Sequence, residues 1–227
     1  MSAADPSPVP DWLRPVIAGA DTITGEQITA FLPPADDGAR ESAVLMLFGE
    51  GPAGPDLLFT ERSHTMRSHP GQVSFPGGGV EVGESAGEAA LREAWEETGL
   101  DPAGVRPIAQ LPRLWLPHSN NVVTPVIGWW HTPSPVHAAS AGEVHAVYRT
   151  PLRELVDPAN RIRVRSPRTD WVLPGFLIGP DKDVILWGFT AGIVARFFAY
   201  LGWLREVPDA PLTILPDYML TGRERTR

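Results

Sequence analysis

Short apolar runs cut by glycine and proline dominate this chain, and they predict strands. Ser42 to Phe48 (SAVLMLF) is apolar almost throughout and is bounded by Gly51-Pro52, the pattern of a buried strand. Asp56 to Glu61 (DLLFTE) predicts a second strand, with Gly51 to Pro55 as the hairpin turn between them. Val105 to Leu114 predicts a strand, an outer one given Pro107 and Pro112. Asn121 to Trp130 predicts another, and Pro125 within it points to an edge or a bulge. Glu143-Val144 opens a strand to Tyr148, and Thr150-Pro151-Leu152 starts a short helix to Leu155. The alternation of Arg161 to Arg165 suits a half-buried strand, and Trp171–Ile178 with Val184–Trp187 flank the turn Gly179-Pro180-Asp181. A final helix opens at Trp187 to Ala191, with Thr190 as its expected N-cap and apolar residues through Leu204. Residues 1–10 read as loose, Asp11–Ala20 as a short helix of unreadable role, Phe31–Glu41 as a linker and His131–Ala141 as a substrate-contact or loose loop.

Only one stretch before the last helix has strong helical signals. Ser85 and Glu88 form a capping box, Gly99 suits the left-handed end position, and Pro102 forbids continuation. On that helix Glu93, Glu96 and Glu97 are spaced by three and four, so they share a face. Leu91, Ala94, Trp95 and Thr98 fall on the side expected to pack. Three like charges on one face cost roughly a few tenths of a kcal/mol per exposed pair. A divalent cation removes that cost, and an oxygen-only ligand set favours Mg²⁺ or Mn²⁺ over zinc. The competing reading is a solvated acidic face.

Composition narrows the choice. At 43% hydrophobic and 20% charged residues the chain is ordinary globular material, long enough for one domain with embellishments. No apolar run approaches the roughly 20 residues of a membrane span, and the N-terminus lacks the pattern of a secretory signal. The net charge of −8 argues against general nucleic-acid binding. The absence of cysteine excludes disulfides and thiol chemistry and fits a cytoplasmic location. Against this acidic background, Arg62 to Gly78 is a polar, Gly/Pro-punctuated loop. It carries Arg62, Arg67, His64 and His69 into the acidic helix, and such cations beside a metal site suit a phosphate-bearing ligand. The alternative is a solvated loop whose charges balance nearby acids.

The segment Gly78 to Leu100, GGVEVGESAGEAALREAWEETGL, resembles the Nudix box, G-x5-E-x7-R-E-U-x-E-E-x-G-U with U apolar, at every fixed position. The loop before it is similar to the signature of the coenzyme A pyrophosphatase subgroup. Thr60, Arg62, Ser63, Arg67, Gly71, Phe75, Pro76, Gly77 and Gly78 match, with Phe59 where a leucine is usual. Trp187-Gly188-Phe189-Thr190-Ala191 also resembles that subgroup.

The resemblance implies an α/β fold, a Nudix-type α/β/α sandwich with a mixed central sheet flanked by helices. It divides the chain into an N-terminal extension, partly loose (1–34), a hydrolase domain (35–207) and a C-terminal tail (208–227). It implies metal-dependent pyrophosphate hydrolysis of coenzyme A or an acyl derivative. ADP-ribose, NADH or a damaged nucleoside triphosphate are alternative substrates, and a non-catalytic nucleotide sensor is a further alternative. By position, Glu93, Glu96, Glu97 and the Gly78 carbonyl would hold Mg²⁺ or Mn²⁺, and Arg92 would orient the carboxylates. Glu84 is left as a distant ligand or a partner of Arg92. The general base is Glu93 or Glu143. Arg62, Arg67, His69, Gln72 and Ser74 would contact the substrate. The expected partner is a small nucleotide of the coenzyme A type, with no nucleic acid and no membrane, and a homodimer is compatible.

Overall fold

A computed structural model describes residues 8–29, 31–33, 38–66, 70–165, 171–216 and 219. Its first elements are helical: α1 (Arg14–Thr22), entered through a 3-10 turn and Pro15, and α2 (Gly25–Ile28). Leu13, Val16, Ala20 and Ile23 recur at helical spacing, and all four are buried.

The apolar run then forms β1 (Arg40–Gly51), and the next forms β2 (Gly54–Arg62). Their hairpin is tighter than the expected Gly51–Pro55 turn. Gly51 pairs with Gly54, whose φ of +93° is one that glycine adopts without strain. Two short strands follow, β3 (Val73–Ser74) on β2 and β4 (Gly77–Gly79) on β1. Then comes the capped helix α3 (Ala86–Thr98). Ser85 and Glu88 make the reciprocal box, and Gly99 ends the helix at φ +67°.

Where one strand was expected over Val105–Leu114 there are two, β5 (Val105–Gln110) and β6 (Leu114–Leu116). Both pair with β7 (Asn121–Trp130), whose other edge pairs in parallel with β1. Asn121–Trp130 is therefore a central strand, not an edge. Pro125 is tolerated because its carbonyl, and so its missing N–H side, faces the gap between β5 and β6, where it accepts from Leu111 N–H. The chain returns through β8 (Val144–Pro151) on β2 and α4 (Leu152–Val156). Next are β9 (Arg161–Arg165), β10 (Val172–Ile178) and β11 (Val184–Leu186). Helix α5 spans Gly188–Tyr200, and β12 spans Leu212–Ile214. The α5 N-cap is Trp187, without a side-chain cap, so Thr190 is a buried helix residue rather than the expected cap.

The main sheet runs β3-β2-β1-β7-β5, with β4, β6 and β8 attached to its strands; β11-β10-β9-β12 form a second, smaller sheet. Side-chain alternation along β1 explains the layering. Ala43, Leu45 and Leu47 join one core with Ala89, Ala90 and Ala94 of α3. Met46 and Phe48 join the other with Leu13, Val16, Phe197 and Phe198. A strand covered on both faces reads as an unbroken apolar run. Helices thus flank a mixed sheet on both sides. The N-terminal helices belong to the same core as α5, and the Tyr200 hydroxyl donates to Thr22 Oγ1 at 3.0 Å. The segment after Pro208 contributes β12, parallel to β9. Trp129 and Trp130 are buried in the core.

Candidate active site

Helix α3 presents its carboxylates at three depths. Glu97 is 8% exposed, Glu93 is half-buried and Glu96 is exposed. At 100° per residue, Glu97 sits beside the packed stripe of Ala94 and Thr98. Trp95, expected to pack, is 54% exposed instead.

Glycines of β4 bring the backbone against this helix. A Cβ on Gly78 would stand 2.4 Å from the Glu93 carboxyl, so any larger residue here would displace that carboxylate from the strand. The neighbouring Gly77 N–H donates to Glu97 Oε2 at 3.3 Å. Arg92 ties the parts together. Its Nε and Nη2 donate to the two Glu84 oxygens at 2.9 and 3.1 Å, its Nη1 to Glu93 Oε1 at 2.9 Å, and its Nη2 also to the Gly79 carbonyl at 2.9 Å. Of the two roles open to Glu84, the geometry places it as the bidentate partner of Arg92. The hydrogen bond from Arg92, with a backbone bond from Glu81, holds the Glu84 carboxyl below its ordinary range, and Glu84 in turn raises Arg92.

Burial pushes the Glu97 carboxyl up to about 8. The Gly77 N–H and the Arg62 charge pull the other way, while Glu93 and Glu143 push it further up. Glu97 thus couples to Arg62 and Glu143, which lie far from it in sequence. Arg62 ends β2. Its Nη2 contacts Met66 Sδ at 3.2 Å, and its buried Nε has no hydrogen-bond partner among the described residues. Glu143 is exposed, and its carbonyl accepts from Ser63 N–H at 2.7 Å. The loop 131–141 is anchored to the end of α3: His137 N–H donates to the Thr98 carbonyl and Ala139 N–H to that of Glu97, each at 3.0 Å.

The remaining expected contacts are dispersed. Ser74 lies on β3 across from Thr60, 3.5 Å between hydroxyls. The Gln72 carbonyl accepts from Arg62 N–H, but its side-chain amide rests against Gly188 at the start of α5. Arg67 and His69 lie outside the described residues.

The carboxylates of α3 fit a hard divalent cation. The donors are all oxygen, and the buried Glu97 is opposed by its neighbours' charges, a conflict that a bound cation relieves. Sequence reasoning missed the buried Glu61, which receives a hydrogen bond from Tyr148 and pairs with His64. The signal available was a lone glutamate at the end of an apolar strand, but its partners on β8 are invisible from spacing.

The protein-family model described as NUDIX domain matches residues 39–172. The chain is 36% identical over 166 residues to Nudix hydrolase 15, mitochondrial, of Arabidopsis thaliana, covering 69% of this chain and 57% of that protein. It is 36% identical over 169 residues to the uncharacterized Nudix hydrolase NudL of Escherichia coli (strain K12), covering 72% of this chain and 83% of that protein. The chain spans little more than half the length of the plant relatives. Among solved structures, a MutT/nudix family protein from Enterococcus faecalis overlaps 86% of this chain and 76% of its own, at 15% identity and a TM-score of 0.48. Among the described residues no helix is long and apolar enough to cross a membrane.

Proposed function

The chain belongs to the Nudix hydrolase family, and from that premise we propose that it hydrolyses the pyrophosphate of coenzyme A or an acyl-coenzyme A to 3′,5′-ADP and (acyl-)4′-phosphopantetheine. The observation that carries this reading is the run Thr60–Gly78. Its sequence is similar to the coenzyme A subgroup, and it sets Arg62 within electrostatic reach of Glu97. A buried guanidinium donor without a hydrogen-bond partner among the described residues suits a phosphate oxygen.

Nudix enzymes use divalent cations such as Mg²⁺ or Mn²⁺. Here Glu93, Glu96, Glu97 and the Gly78 carbonyl would hold them, and a bound cation supplies charge neutralisation at the phosphates and a more acidic water. The chain's own residues do the rest. Arg92 fixes the Glu93 carboxylate through its bond to Oε1, with Glu84 and the Gly79 carbonyl locking the guanidinium in place. Arg62, with Arg67, His69, Gln72 and Ser74, receives the substrate's anionic end. Glu93 takes a proton from the attacking water as the new P–O bond forms and the bridging P–O bond breaks. Glu143 is the second candidate base. The lack of cysteine suits the reducing cytoplasm.

The test is incubation with coenzyme A, ADP-ribose and 8-oxo-dGTP in parallel, with Mg²⁺ or Mn²⁺ and products identified by mass spectrometry. Release of 3′,5′-ADP well above the other two rates supports the proposal. Cleavage of ADP-ribose without coenzyme A would overturn the substrate and leave the hydrolase standing.

A further inference from the structure

A second cluster lies at the end of β2, and the proposed reaction does not use it. Glu61 follows Phe59 by two residues, so it shares the strand face turned to the α5 core, and it is 1% exposed. A carboxylate this deep requires compensation. Tyr148 of β8 donates to Glu61 Oε2 at 2.5 Å, and His64 Nε2 lies 2.8 Å from Oε1. The third member arrives through an irregularity. Glu61 pairs with Ala146 but Arg62 pairs with Val144, which leaves His145 as the extra residue of a β-bulge. Bulges re-aim side chains. This one brings the His145 ring to 4.4 Å from that of His64. One ligand atom from each of Glu61, His64 and His145 lies within 4.8 Å of the other two.

We propose that Glu61, His64 and His145 form a zinc site, separate from the carboxylates of α3 and independent of the substrate reading. Two imidazoles and one carboxylate suit zinc, whereas Mg²⁺ and Mn²⁺ prefer oxygen-only sets. The site has the outer support such centres need. Tyr148 holds Oε2 and leaves Oε1 to the ion, the arrangement by which a second shell orients a ligating carboxylate. Ligand atoms of a tetrahedral zinc stand roughly 3.3–3.5 Å apart at bonds of about 2.0–2.2 Å. His64 and Glu61 need to part by about half an ångström, and the exposed His145 closes the remaining distance by a side-chain rotation. Its exposure also gives the ion a way in and a water the fourth position. Bound zinc would clamp residues 61–64 to β8 at the junction where Ser63 N–H meets the Glu143 carbonyl, steadying two segments that flank Glu97.

The experiment titrates Zn²⁺ into the full chain in excess Mg²⁺, with a chromophoric chelator as competitor. Co²⁺ serves as a spectroscopic probe, because a nitrogen-bearing, low-coordinate site absorbs strongly in the visible and an oxygen-only octahedral one does not. One tight equivalent of zinc is expected. His64→Ala and His145→Ala should each weaken it by more than the roughly 10–100-fold that loss of an outer-shell partner costs, and Tyr148→Phe by about 10-fold. Glu97→Gln should leave zinc affinity unchanged. The exposed His145 makes its variant safe to fold. Zinc uptake no tighter than Mg²⁺ competition allows, wild-type affinity in His145→Ala, or loss of zinc in Glu97→Gln would each overturn the site.

Discussion

Replacing Glu97 with glutamine removes a charge that burial opposes and keeps an oxygen for the Gly77 N–H. The folded carboxyl titrates near 8, against an ordinary 4.5 in the unfolded chain. The native state therefore holds this proton more tightly. Its contribution to stability is complete below about pH 4.5 and drains away as pH rises toward 8. Each tenfold difference in proton affinity is worth about 1.4 kcal/mol, so the metal-free protein loses roughly 3 kcal/mol from this group between pH 4.5 and 7. For a chain of this size that is about 6–12 °C in Tm. The assay is thermal unfolding in chelator across that pH range for wild type and Glu97→Gln. The difference between the two melting curves should grow by that amount from pH 4.5 to 7. A misfit of the new amide shifts the variant equally at every pH and cancels from the comparison. Adding Mn²⁺ should restore wild type, by about 2.7 kcal/mol at a hundred times Kd, and affect the variant far less. Identical pH slopes for the two proteins in chelator would refute the burial argument.

Other expectations follow from the same geometry. Gly78→Ala drives a methyl into the Glu93 carboxyl, and a displacement near 1 Å should lower kcat about 100-fold, read by steady-state kinetics with far-UV circular dichroism confirming the fold. Arg92→Lys keeps the charge but loses the fork that grips Glu84, Glu93 and the Gly79 carbonyl, so the Mg²⁺ requirement should rise about 10-fold or more with substrate KM little changed, read by metal titration of activity. Arg62→Ala should raise KM for coenzyme A about 10-fold or more, the worth of one charge-assisted hydrogen bond, measured on coenzyme A beside dephospho-coenzyme A. Comparing kcat–pH profiles of Glu93→Gln and Glu143→Gln separates the candidate bases: the acid limb disappears only in the variant that lacks the base.

The parts of this molecule encoded locally are those that sequence reading recovers. Ser85, Glu88 and Gly99 set the limits of α3 through bonds made within a few residues, and the alternation of β1 reflects its two covered faces. What depends on distant neighbours stays hidden. Pro125 signals an edge or a bulge until the gap between β5 and β6 is seen opposite it. Trp95 and Glu97 exchange their expected places because the periodicity gives a stripe but not its margins, and the sheet decides which margin it covers. The coupling of Glu97 to Arg62 and Glu143, and the meeting of Glu61 with His145, exist only once β2 and β8 pair. The helical spacing of Leu13, Val16 and Ala20 is visible in the sequence, but its partner α5 lies at the other end of the chain.

That last contact bears on how the protein is made. A nascent chain leaves the ribosome N-terminus first, at about 5–20 residues per second. Helix α1 therefore waits roughly 8–35 s at that rate until α5 emerges and closes the layer over it. The parallel pairing of β1 with β7 imposes a similar delay, since non-local pairings must meet the entropy of closing long loops before they are rewarded. The core on the α3 side is built largely from residues 43–130, so it can consolidate first and present a platform. The opposite core joins Leu13 to Leu204, so it can close only after most of the chain has emerged.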